Sequence, residues 1–158
     1  MSTGLALFTL IHVLISLVGI VSGLVVLKGL LNSRRLGRWT TLFFATTVAT
    51  SATGFGFPFD HLLPSHKVGI LSLVVLALAI YAFYSRKLAG GWRKVYVINA
   101  VLALYLNVFV LVVQLFQKIP FLKALAPTQS DPPFAIAQTA VLVLFLVLGV
   151  RATKRFQR

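Results

Sequence analysis

The sequence predicts an all-α integral membrane protein, a helical bundle of five transmembrane helices with its N-terminus outside and its C-terminus inside. Three observations predict it. Hydrophobic residues make up 59% of 158 and mean hydropathy is +0.97, which is more apolar surface than a soluble domain of this size can bury. The apolar residues gather into five uninterrupted runs, and the loops between them alternate between crowded and poor in positive charge.

Roughly 20 apolar residues are needed to cross a hydrocarbon core about 30 Å thick, and the spans fall over residues 5–27, 40–59, 68–85, 95–116 and 134–150. The first is preceded by Met1-Ser2-Thr3, which carries no basic residue, and it is too long for the core of a secretory signal. The second is the least hydrophobic, with Thr, Ser, Ala and Gly between Thr46 and Gly56. The third follows Pro64-Ser65-His66, where Ser65 is suited to cap the helix start. Gly90-Gly91 predicts a tight hairpin into the fourth span. The fifth is the shortest and can begin at Pro132 and Pro133, where the missing N–H does no harm. All five form one domain. No internal repeat is present, so an inverted-repeat transporter gains no support.

Orientation follows from charge. Twelve of the fifteen Lys and Arg residues lie in the first and third loops and the tail, whereas Lys67, Lys118 and Lys123 alone occupy the second and fourth. Basic residues are retained on the cytoplasmic side. The net charge of +13 then reflects topology and attraction to anionic lipids on that side, about 1 kcal/mol per residue near a charged surface. Trp39, Trp92, Tyr81, Tyr84 and Tyr96 flank the same loops as an interfacial belt. Nothing in the pattern reads bases, so nucleic acid is not a partner.

The runs Leu104-Tyr105-Leu106-Asn107-Val108-Phe109-Val110 and Ala126-Pro127-Thr128-Gln129-Ser130-Asp131-Pro132-Pro133-Phe134, with Pro64-Ser65-His66, resemble a group of small bacterial polytopic inner-membrane proteins of unassigned function. The resemblance covers most of the chain from the second span onward. It implies a bacterial inner (plasma) membrane and no particular activity.

The absence of cysteine excludes disulfides, zinc–thiolate sites, iron–sulfur clusters and thiol catalysis. With Asp60 and Asp131 the only acids, no catalytic residue is assigned. General acid–base work would fall to His61, His66 and Asp60, and the chain leans away from being an enzyme. His12, His61 and His66 are the candidate cofactor or metal ligands, for a haem, a metal ion or a quinone-like molecule near the periplasmic face. Imidazole binds metals and haem iron, and an ionisable group inside a span marks a functional site by default. The plainer reading is a neutral His12 bonded to Thr or Gln, two solvated loop histidines, and Asp60 and Asp131 paired with Lys67 and Lys123.

At 100° per residue, His12, Ser16, Gly19 and Gly23 share one stripe of the first span. Gly19 and Gly23 form a small-xxx-small pair for close helix packing. Thr50 and Thr53 of the second span and Asn107, Gln114 and Gln117 of the fourth predict a polar seam, with Gln138 opening the fifth. On this reading spans one, two and four form the centre, while three and five, Ala79 included, face more lipid. Two other functions remain: an accessory or assembly subunit of a larger membrane complex, and a small oligomeric transporter or channel.

Overall fold

A computed structural model describes residues 3–56, 64–128 and 130–156. Among these residues all regular structure is helical: α1 (Thr3–Leu31), α2 (Gly37–Gly54), α3 (Pro64–Ile80), which continues into a π-helical turn (Tyr81–Ser85), α4 (Trp92–Lys118), the short α5 (Pro120–Leu125) and α6 (Pro132–Arg155). Four stretches are long and apolar enough to cross a membrane: Thr3–Leu31, His66–Ser85, Trp92–Lys118 and Pro132–Arg155.

The remaining long helix, α2, has 18 residues, about 27 Å at 1.5 Å per residue. Seven of those residues are Thr or Ser, which lowers its hydropathy. Their polarity is largely hidden, because Thr46, Thr50 and Thr53 donate their hydroxyl protons to the carbonyls of Leu42, Thr46 and Ala49, each at 2.7 Å. The helix stops at Gly54 rather than at residue 59. The N–H groups of Phe55 and Gly56 turn back to the carbonyls of Ala52 and Thr53 at 3.2 and 2.9 Å, closing the helix in a tight turn. Residues 57–63, Asp60 and His61 among them, lie outside the described residues. α3 is already helical at Pro64, so Ser65 sits in the first turn and not at the capping position before it.

α4 holds the centre. The share of each span buried inside the protein is 39% for α4, 33% for α3, 28% for α1 and 11% for α6. The order corrects the expectation that the third span faces lipid more than the first. Ala79 is fully buried, on a face shared with Ser72, Val75, Leu76 and Ala82. A helix that is apolar all round has no moment from which an inward face can be read. In α3 the inward face is the one whose small side chains admit neighbouring helices.

One end of the bundle carries the first and third loops and the C-terminal tail, with most of the positive charge. That end is solidly filled. Phe44 meets Phe83 and Tyr96 edge-on at 6.1 and 6.2 Å, and Phe83 lies 5.0 Å from Tyr96. Phe156, just past α6, folds back to 6.0 Å from Tyr96. The Arg35 guanidinium sits 4.5 Å over the Phe83 ring. Thr40 and Tyr96 share a hydrogen bond of 3.1 Å, and Thr41 bonds to Tyr84. In the loop leading to α4, Leu88 adopts φ +61° and Gly90 φ +54°. The left-handed turn at Leu88 directs that side chain into the core.

Candidate functional site

Packing changes character halfway along α1. A Cβ on Gly23 would lie 2.7 Å from Leu104 Cδ1 and 2.8 Å from Phe43 Cε1, so three helices meet here without room for a methyl group. One turn away from the basic end, a Cβ on Gly19 would stand 3.3 Å from the hydroxyls of both Thr46 and Thr47 and 3.7 Å from Asn107 Nδ2. Asn107 Nδ2 donates to Thr47 Oγ1 at 3.2 Å. Past this level the first four helices enclose a cavity of about 540 Å³, within the usual range for small-molecule sites. Its walls mix aliphatic side chains with hydroxyls, amides and two imidazoles.

His12 and His66 both line it. His12 Nδ1 lies 2.7 Å from Thr53 Oγ1, and that hydroxyl is held by the Ala49 and Thr50 carbonyls at 2.7 and 3.2 Å. A hydroxyl fixed by its own helix thus orients the ring, since the bond at one imidazole nitrogen sets the role of the other. His66 is buried in the first turns of α3, its ring 5.2 Å from that of Phe55 and tilted by 33°. Gly69 gives Phe55 its room, since a Cβ there would be 3.2 Å from Phe55 Cε2, whereas a Cβ on Gly54 would meet His12 Cε1 in ordinary contact at 3.8 Å. His61 lies outside the described residues, and among those described no three His, Cys, Asp or Glu residues gather as a metal site.

The single polar seam expected from the sequence divides. Thr50, Asn107 and Gln114 line the cavity, and Thr53 stands behind His12. Gln117 belongs to a second cavity of about 330 Å³ between α4, α5 and the start of α6, with Lys123 and Thr128. Gln138 donates from Nε2 to the Phe109 carbonyl at 3.1 Å, and its buried Oε1 has no partner among the described residues. Asp131 does not pair with Lys123. Its Oδ2 accepts from the Thr128 N–H and hydroxyl at 2.8 and 3.1 Å, closing the turn ahead of α6.

Several lining residues escaped the sequence reading. Ser51 donates to Ser72 at 3.3 Å across α2 and α3, and Lys118 stands at the end of α4 on the cavity side. The signal for α3 was present: His66, Gly69 and Ser72 recur every third residue and mark one face. Comparison of the chain with protein-family models, with curated proteins and with solved structures gives no match in any of the three.

Proposed function

We propose that the chain is a ligand-binding protein of the bacterial inner membrane, with five spans, N-terminus outside and C-terminus inside. In this reading the cavity lies in the outer half and holds a small molecule between His12 and His66. The observation that carries it is the contrast between the two halves of the bundle: one is packed solid with aromatic rings, and the other holds a cavity of about 540 Å³ faced by two imidazoles. A site of this form binds rather than conducts, because the aromatic cluster fills the path toward the basic end. The described polar groups are hydroxyls, amides and two imidazoles, with the Lys118 ammonium at the rim and no acid, which suit an organic ligand better than a bare metal ion. The basic loops lie against anionic lipid headgroups on the cytoplasmic side.

The accessory-subunit reading has one observation in its favour. α6 is the least buried span, with Ile136, Val143, Leu146 and Val150 all exposed, a face that lipid or a further subunit would cover. Gentle purification followed by a visible spectrum, metal analysis and mass spectrometry of the organic extract tests the binding reading. A co-purifying molecule that His12→Ala and His66→Ala each release, with helix content unchanged, is the expected result. A preparation with nothing bound, paired with a stoichiometric protein partner, would replace it with the accessory reading.

A further inference from the structure

The lining of the cavity is exposed along one side. Val13 and Leu17 on α1 and Leu115 on α4 all face it, yet they retain 42%, 42% and 37% of their accessible surface. Their α1 neighbours Leu10, Leu14 and Val18 are exposed as well. α1 centres on residue 17 and α4 on residue 105. At 1.5 Å per residue Val13 and Leu115 therefore lie about 6 and 15 Å to the outer side of centre, inside or at the edge of a hydrocarbon half about 15 Å thick. The opening is a slot between α1 and α4 that looks into lipid tails.

The chemistry behind the slot is uncharged and hydrogen-bonding. Among the described lining residues Lys118 is the sole cation and stands at the rim, and no acid is present. Deeper in, His12, Ser51, Ser72 and Asn107 offer neutral donors and acceptors, and the exposed Gln114 adds an amide beside Leu115 at the opening. The rings of Phe55 and His66, 5.2 Å apart and tilted by 33° to each other, both border the cavity, and aromatic faces favour a flat ring against them.

Resting on the ligand-binding reading above, the geometry points to a lipid-soluble amphiphile of the quinone class: a flat, uncharged, oxygen-bearing ring in the cavity, and a hydrocarbon tail leaving through the α1–α4 slot into the outer leaflet. The membrane itself delivers the ligand. A metal ion or a water-soluble metabolite has no use for such a slot, whereas a tailed molecule gains apolar contact along it.

The test uses the full chain in lipid nanodiscs and two probes, a benzoquinone with a decyl tail and the same ring with a methyl group in its place. Both should bind the wild type saturably, the tailed probe more tightly. Leu17→Trp and Val13→Trp, each on an exposed side chain and each checked for unchanged thermal stability, narrow the slot. Both should weaken the tailed probe by about tenfold or more, the equivalent of two buried methylenes, while the methyl probe binds as before. Undiminished binding of the tailed probe to both variants would overturn the slot. Failure of both probes on the wild type would overturn the quinone class, while a different molecule released by His12→Ala would leave the binding reading standing.

Discussion

The Asn107 side-chain amide reaches the Thr47 hydroxyl at 3.2 Å, tying the middle of α4 to the middle of α2 at the level where Gly19 of α1 passes. This cross-link forms the floor of the cavity. Hydrogen bonds between membrane helices average about 0.6 kcal/mol and reach about 1.7. Asn107→Ala and Thr47→Ala should each lower unfolding stability by that order. Combined, they should cost less than the sum of the two, with a coupling of about 0.5–1 kcal/mol in a double-mutant cycle. Strict additivity would mean the two side chains do not interact.

Three of the four glycines of α1, Gly4, Gly19 and Gly23, should rank by space. Gly23→Ala puts a methyl group 2.7 Å from Leu104 Cδ1, and overpacking of that kind costs about 1–3 kcal/mol. Gly19→Ala meets two hydroxyls at 3.3 Å and should cost less, while a Cβ on Gly4 has nothing within 4 Å and should be neutral. Thermal or denaturant unfolding in one detergent would show the order. A neutral Gly23→Ala would remove the close crossing from this account.

Topology can be read cleanly because the chain has no cysteine. An impermeant thiol reagent should label Ser130→Cys on intact cells, and Ser33→Cys and Gly90→Cys only after the membrane is opened. The last pair also decides α2. With α2 crossing, Ser33 and Gly90 share a side; with α2 lying short of the far face, they label from opposite sides.

Phe156 should matter more than its place near the C-terminus suggests. It is buried against Tyr96 in the aromatic cluster, so Phe156→Ala should cost about 3–5 kcal/mol, as large-to-small core changes do. Phe121→Ala on the exposed face of α5 should leave unfolding almost unchanged, and equal effects would contradict the packing described.

Much of the fold was legible because a hydrocarbon layer demands long apolar runs, and the chain supplies them. The end of α2 was not, since Phe57 and Phe59 extend the apolar run past the Gly54 that stops the helix. The inner face of α3 was hidden for a related reason: Ala79 and Leu78 look alike to a hydropathy average, and packing alone separates them. In the candidate site, the α1 stripe could be read from helical phase, which sets His12 above Gly19 and Gly23. Gln114 and Gln117 differ by about 60° around α4, and that suffices to send them to separate cavities on neighbouring faces. His66 was harder to place, because only tertiary structure shows that a residue beside a loop is buried against Phe55.

The crossing at Gly23 has a mechanical consequence. α1 is clamped there between Leu104 and Phe43, while beyond Gly19 most of its side chains are exposed. Packed into the core over its inner half and held more loosely over its outer half, where the His12–Thr53 bond ties it to α2, the helix can act as a lever about this crossing. Thr9 lies fourteen residues past the grip, about 21 Å, so a tilt of only about 5° moves it by about 2 Å. A small adjustment at the fulcrum therefore becomes a change of about one bond length or more in the width of the slot. Solvent exchange of backbone amides should accelerate steadily from Gly23 toward the N-terminus, and slow again when the cavity is filled.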